Sequence, residues 1–374
     1  MGELLQTNMT NSDGTPAALF SSFSGSVVDR HFKWMHDNNL DGVMLQRFIS
    51  ELPYPEFRDF RDQTVKNVRA GAQANGSVFC IMYDISGSDE NSLVDDLRKD
   101  WTHLVDDMGV VSSPNYLKHK GKPLLGIWGF GFTDRPGSAS QASEVIDYFK
   151  NNSEERYRAT VLGGVPSRWR TLDGDSKTDL AWKEIYQSFD VVSPWSVGRF
   201  ADEAGADTFR RVRIVPDAHE LSRLGIDYMP VVFPGFSMSH LTMNSQQNLP
   251  LNQIPRNGGR FWWRQVFNAI SSRCNMIYGA MFDEVDEGTA MFKLVSSQQN
   301  LPTQAKDRLV YLDIDGEALP SDYYLWLADQ SSRMLRGEIG LTPTMPHYTH
   351  NGARPSYSWR SRLGWKRLAG LVKR

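Results

Sequence analysis

The 374-residue chain holds only two cysteines, Cys80 and Cys274, too few for a disulfide framework, so its fold must rest on a packed core. Both lie beside apolar runs and read as core thiols. No apolar run approaches the roughly 18–20 residues that cross a bilayer, so no membrane span is expected. The opening stretch, MGELLQTNMTNSDGTP, has neither a basic segment nor an apolar one, and no export signal is visible in this chain. The compartment is left unassigned. Gln6 also stands where a myristoylation motif needs Ser or Thr. Lys and Arg number 41 against 44 Asp and Glu, a net charge of −3, and nothing in that balance calls for nucleic acid. No glycine-rich phosphate loop follows an apolar run, and no G-x-S-x-G elbow is present, which argues against nucleotide binding and Ser-His-Asp catalysis. His347 and His350 have H-x-x-H spacing but no cysteine or acidic company. No resident metal or other cofactor is therefore expected.

What is plentiful is aromatic: 11 Trp, 13 Tyr and 19 Phe. Aromatic faces stack on the C–H surfaces of pyranose rings, and they also fill large cores. The choice between these roles depends on where the rings sit.

The chain alternates short apolar runs with helical patterns. Runs at 40–48, 77–85, 123–130, 157–165, 190–195, 226–233 and 275–282 read as strands. Helical patterns follow at 56–75, 92–108, 140–151, 180–189, 201–224 (interrupted near Pro216), 261–272 and, capped by Ser321, to about 336. In the first of these, Phe57, Phe60, Val65, Val68 and Ala72 recur at helical spacing as the apolar face. Apolar strands alternating with helices predict a parallel sheet covered on both sides. Seven such units point to an α/β fold of the (β/α)8 TIM-barrel type, with a first strand missing or degenerate, since the start is polar and loop-like. The barrel is expected to occupy residues 1–340 as one domain, and residues 341–374 a basic extension outside it. The excursion 234–260, rich in Ser, Asn, Gln and Pro, is placed to wall one side of a cleft.

In such barrels the site lies at the C-terminal ends of the strands. There the sequence places Arg47, Tyr83, Asp84, Trp128, Arg168, Trp195 and Asp283 as candidates for holding substrate, with Trp262 on the helix of the FWW segment. Aromatic rings, acids and arginines with almost no Cys, His or Lys suit a sugar pocket. The sharpest feature is Asp283-Glu284-Val285-Asp286-Glu287-Gly288-Thr289, four carboxylates within five residues at the end of an apolar strand. Such crowding raises a carboxyl pKa, as a general acid requires. Paired carboxylates, here Glu284 and Glu287, are the working parts of glycoside hydrolysis. A cation-dependent enzyme at 283–287 and a glycan-binding barrel without turnover are the alternatives.

The run FDEVDEGT resembles the Glu-x-x-Glu-Gly-Thr signature of glycoside hydrolase family 99, the endo-α-mannosidases and endo-α-mannanases. The stretch VVDRHFKWMHDNNLDGVMLQRF also looks like that clan's early helix and strand. MLQRFISEL, GGRFWWRQVFNA and DGEALPSDYYLWLA are similar to proteins of a combined family 71/99-like group labelled xylosidase/arabinosidase. The resemblance spans roughly Gly14 to Gly340. It implies a (β/α)8 barrel that hydrolyses an α-linked oligosaccharide or polysaccharide with retention. Glu287 would be general acid/base, and Glu284 would assist attack by the sugar's own 2-hydroxyl. Family members carry aromatic and His residues between the two glutamates, where Val285 and Asp286 stand here.

Overall fold

Strands buried on both faces need side chains that pack in both directions, and the apolar runs supply them. The computed structural model describes residues 3–242 and 249–348. The chain opens with an antiparallel hairpin, β1 (Leu4–Thr10) and β2 (Pro16–Phe20), then a helix, α1 (Gly25–Asp37). Strand–helix pairs follow: β3 (Gly42–Phe48) with α2 (Pro55–Asn75), and β4 (Val78–Asp84) with α3 (Leu93–Asp106). A short β5 (Lys118–His119) precedes β6 (Lys122–Trp128) and α4 (Ala139–Asp147). Next come β7 (Thr160–Val165) with α5 (Ala181–Ser188), and β8 (Val191–Pro194) with α6 (Glu203–Phe209) and α7 (Val215–Leu224). The chain continues through β9 (Asp227–Tyr228), β10 (Val231–Val232), α8 (Arg260–Ser271), β11 (Tyr278–Gly279) and α9 (Tyr323–Leu335).

The parallel order is β3-β4-β6-β7-β8-β9, with β5 antiparallel on β6. Only Met229 and Pro230 separate β9 from β10, so one extended segment pairs with β8 at its start and with β11 at its end. The arc thus has seven parallel positions, matching the seven runs in the sequence. Among the described residues no ladder joins β11 to β3. Helices cover that seam: Arg336 Nη2 of the α9 end reaches the Asn39 carbonyl at 3.1 Å and Asp41 at 2.6 Å, and Leu40 packs against both neighbouring clusters. The expected missing first strand corresponds to this seam. The start, read as loop-like, instead forms the antiparallel hairpin, whose Leu4 and Leu5 remain exposed.

Boundaries moved for local reasons. Residues 155–157 form a 3-10 turn, so β7 starts at Thr160. Pro216 sits in the first turn of α7, where its missing N–H costs nothing, and a π turn at 210–214 carries α6 into α7. The cap of the last helix lies one residue past the expected Ser321, at Asp322, so the helix begins at Tyr323. The sequence 341–348 docks onto α8 and α9, with the Thr342 carbonyl accepting from Trp263 Nε1 at 3.1 Å and Tyr348 against Trp326 at 5.0 Å. The remainder of the expected extension, with His350, lies outside the described residues. No described helix is long and apolar enough to cross a membrane. Both cysteines are buried and free, their thiols pushed up to about 12 by burial.

One polar network is embedded in this apolar frame. Successive strand residues face opposite sides. Arg47 and Tyr83 are register partners on β3 and β4, and both point outward into the helix layer. Arg47 donates to Asp100 on α3 at 2.6 and 2.8 Å and to Asp62 on α2 at 2.8 Å, while the Tyr83 hydroxyl donates to Asp100 at 2.7 Å. His103 continues the network through Asp62 at 2.8 Å. Burial alone would depress the Arg47 pKa, but the Asp100 hydrogen bonds and charge outweigh it and hold the group firmly protonated. The two residues expected to hold substrate therefore pin α2 and α3 to the barrel. Replacing Arg47 with Ala leaves Asp100 and Asp62 without their cation, and should cost about 3–5 kcal/mol of stability, read by urea unfolding. Unchanged stability would overturn that structural role.

Candidate active site

On the opposite face of the same strands the register runs Phe48, Asp84, Trp128, Gly164 and Ser193, five adjacent inward positions at the C-terminal end of the arc. Asp84 is buried, accepting from Gln46 Nε2 at 2.6 Å and from the Ser86 N–H at 2.8 Å. The Trp128 indole lies against β7 because Gly164 has no side chain: a Cβ there would come 2.4 Å from Trp128 Cδ1. Trp195 meets Trp128 edge-on at 5.5 Å, Phe132 lies 4.8 Å from Trp128 and Tyr278 lies 6.4 Å from Trp195. Four rings from four segments thus form one wall of the mouth.

The acidic run forms the opposing side. It follows β11 directly and is held on three fronts. Buried Arg256 donates to the carbonyls of Gly288 at 2.7 Å and Ala290 at 2.8 Å, its guanidinium 4.6 Å from the Tyr324 ring. The Ser237 N–H donates to the Glu287 carbonyl at 2.8 Å. His240 Nε2 lies 3.5 Å from Asp286 Oδ1. Ser237, His240 and Arg256 all belong to the excursion 234–260, which therefore does wall this side.

Electrostatics follow from the crowding. Burial, then the Glu284 charge, pushes Asp283 up to about 6, although 43% of its side chain still meets solvent. His31 Nδ1 lies 3.9 Å from Asp283. Burial and the Arg30 charge push His31 down to about 4, so above that pH it faces Asp283 as a neutral imidazole. Burial raises Glu284, partly offset by the Asp286 N–H donating to its Oε1 at 2.9 Å. Burial also raises Glu287, reinforced by the Glu284, Asp286 and Asp84 charges and opposed by Arg135. Arg135 stands 5.4 Å over the Trp128 ring and pairs with Asp134 at 2.6 Å. Mutual influence thus joins the acidic turn, Asp84 and the Trp128 wall into one electrostatically coupled region.

Of the expected site residues, the structure gathers Asp84, Trp128, Trp195, Asp283, Glu284 and Glu287. Arg47 and Tyr83 lie on the helix side. Trp262 is core: 4% exposed, its Nε1 bonded to Ser331 at 2.9 Å and its ring against Gly279. Arg168 is tied to Asp173 at 2.6 Å on the loop after β7, and no recorded contact links it to the acidic turn. Sequence reading missed Arg135, Tyr278, His240, Arg256 and His31. Among them, only those in the 234–260 excursion had a signal, its length. Among the described residues no group of three or more His, Cys, Asp or Glu side chains converges as a metal site.

Two solved structures of the GH99 endo-α-mannosidase from Bacteroides thetaiotaomicron share this fold. The one in complex with bis-tris propane has a TM-score of 0.63 at 17% identity, covering 88% of this chain and 88% of the other. The second gives 0.63 and 17% over 89% and 85%. At that identity the likeness is one of fold, and it shows the TIM-barrel type expected from the alternation. No family profile matches the chain, and no curated protein matches it.

Gly164→Ala tests the wall. The added methyl must displace the indole, so stability should fall by about 1–3 kcal/mol and any ligand that the wall holds should bind about tenfold more weakly. Tryptophan fluorescence reports the displacement, and an unchanged spectrum with unchanged binding would remove Trp128 from the site.

Proposed function

We propose that this protein is a glycoside hydrolase that cleaves an α-linked glycan with retention, using Glu287 as general acid/base and Glu284 as the assisting base. The observation that carries the reading is the joint placement of Glu284 and Glu287, both raised above the ordinary carboxylate range, opposite an aromatic wall. The shared fold with endo-α-mannosidases supports the glycosidase class. The sugar and linkage are left open, because Val285 and Asp286 replace the residues that family 99 carries between its glutamates.

The chemistry balances as follows. The Glu287 carboxyl gives its proton to the glycosidic oxygen as the C1–O bond breaks. The substrate's O2 bonds to C1, and Glu284 takes the O2 proton. Water then opens the 1,2-anhydro ring at C1, Glu287 removes the water's proton, and Glu284 returns its own to O2. Two inversions at C1 give net retention.

Glu287→Gln should lower kcat/KM about 10²–10⁴-fold on a responsive glycan while the protein stays folded. Parent-level turnover by that variant would overturn the assignment, and an inverted product anomer by NMR would overturn retention. Glycan binding without released sugar by the parent would favour the non-catalytic reading, and loss of activity on chelation the metal-dependent one. Activity requires Glu287 protonated and Glu284 ionised. It is lost as pH rises through the raised Glu287 pKa and as pH falls through the raised Glu284 pKa, so the optimum should sit above the ordinary carboxylate range. Arg135→Gln removes the cation that opposes the Glu287 shift. The alkaline limb of the pH–rate profile should move up, and an unmoved or lowered limb would detach Arg135 from Glu287.

A further inference from the structure

The first turns of α2 break the expected burial pattern. Phe57 lies on the face that helical spacing assigns to the core, yet it is 49% exposed. Tyr54, at the helix cap, is 55% exposed, and Phe23, in the loop before α1, is 43% exposed. These rings form one strip. Phe23 stacks on Phe60 at 5.5 Å with 17° between planes, and Tyr54 meets Phe57 at 6.1 Å. Phe57 and Phe60 are three apart on one helix face. Three exposed rings gathered around two loops are what a binding surface presents, while scattered exposed rings would mean little.

The strip is continuous with the mouth. Strands run toward the mouth and their helices run back, so the N-terminal ends of α1 and α2 lie on the mouth face. Phe48, the last residue of β3, is the inward register neighbour of Asp84. The Arg61 guanidinium sits 5.6 Å from the Phe48 ring and 5.8 Å from the Phe60 ring, bridging mouth and strip. Arg61 is itself paired with Glu51 at 2.5 and 2.8 Å, and both are about one-quarter exposed (25% and 28%). That fork offers donors and acceptors to vicinal hydroxyls beside the aromatic faces.

We infer that Phe23, Tyr54, Phe57 and Phe60, with the Arg61–Glu51 pair, form a remote binding strip for further sugar units of a neutral glycan whose reacting end lies in the mouth. The inference rests on the proposed glycosidase reading and deepens it: the ligand is a chain long enough to touch both the mouth and the strip. A hydrogen-bonding fork next to flat apolar rings matches a sugar's alternation of hydroxyl edges and C–H faces better than it matches a purely apolar partner.

The test uses Tyr54→Ala/Phe57→Ala in the full chain, both positions being exposed, with melting temperature confirming the fold. Binding is read by affinity electrophoresis and calorimetry in a Glu287→Gln background, so that it does not depend on turnover. The probes are soluble α-mannan, α-glucan and arabinoxylan, each against its own disaccharide. The expected result is that one polymer binds more tightly than its disaccharide. The double variant should then weaken polymer binding about tenfold and leave disaccharide binding unchanged. Equal affinities for polymer and disaccharide, or a double variant that binds polymer like the parent, would overturn the strip. A dimer in sedimentation that the double variant abolishes would assign the patch to self-association and also overturn it. Polymer binding that depends on the strip in a protein with no turnover would fault the catalytic reading and keep this one.

Discussion

Everything at the mouth depends on how one turn holds four carboxylates, Asp283, Glu284, Asp286 and Glu287, within five residues. Ionised together in a half-buried turn they repel, and no lysine or arginine of the run itself offsets them. The protein meets that constraint with partners brought from elsewhere. Arg256 secures the turn through the carbonyls of Gly288 and Ala290, so its charge braces backbone while the carboxylates remain unneutralised. His240 meets Asp286 and offsets part of the rise at Glu284, and Arg135 acts on Glu287. Glu284 accepts a hydrogen bond from its own turn. Burial first, and the remaining repulsion second, raises the pKa values of Asp283, Glu284 and Glu287.

How much of this was legible in the sequence depended on the range of the interaction. The acidic run is contiguous, so its crowding could be read directly, and the seven apolar runs gave the parallel arc. The partners of the turn come from the loop after β6 and from the 234–260 excursion, dozens to more than a hundred residues away. No local pattern marks Arg135 or His240 as facing Glu287 or Asp286. The run 226–233 reads as one strand, as it is, but the split of its ladder had no local signal: its start pairs with β8 and its end with β11, and Met229-Pro230 interrupts the ladder without interrupting the strand direction.

Arg47 and Tyr83 face away from the mouth for a different reason, the parity of their strands. A strand's side chains alternate in direction, so a residue near its C-terminal end faces the mouth only if its parity is right. Gln46 and Phe48 on β3 share parity with Met82 and Asp84 on β4, and Arg47 and Tyr83 have the other. Choosing Asp84 for the mouth already placed Tyr83 in the helix layer. There it shares Asp100 with Arg47, and a buried ionic cluster takes the place that apolar packing fills elsewhere in that layer. Trp262 illustrates the same lesson on a helix: its FWW neighbours were noticed as a motif, but three adjacent aromatics on a helix cannot all point one way, and this one packs against Gly279 and Ser331.

The aromatic surplus with which the sequence is endowed divides by location. Trp101, Trp169 and Trp263 are fully buried and explain much of it as core. Trp128, Trp195 and Tyr278 are only partly covered, although they stand at strand ends where large apolar residues would close a protein interior. An apolar wall left open opposite a cluster of carboxylates suits a ligand that is flat and apolar on one side, rich in hydroxyls on the other, and free of negative charge. A uronic acid or phosphorylated substrate would meet Asp84, Asp283, Glu284 and Glu287 with like charge and would lose affinity. On the proposed glycosidase reading, with Glu287 carrying the acid proton, positive charge developing at an anomeric carbon would instead be stabilised by the neighbouring carboxylates that are ionised, more strongly in this partly desolvated turn than in water. On that same reading, the field that makes the turn costly to build would favour the transition state over the neutral ground state, which is the condition for catalysis as distinct from binding.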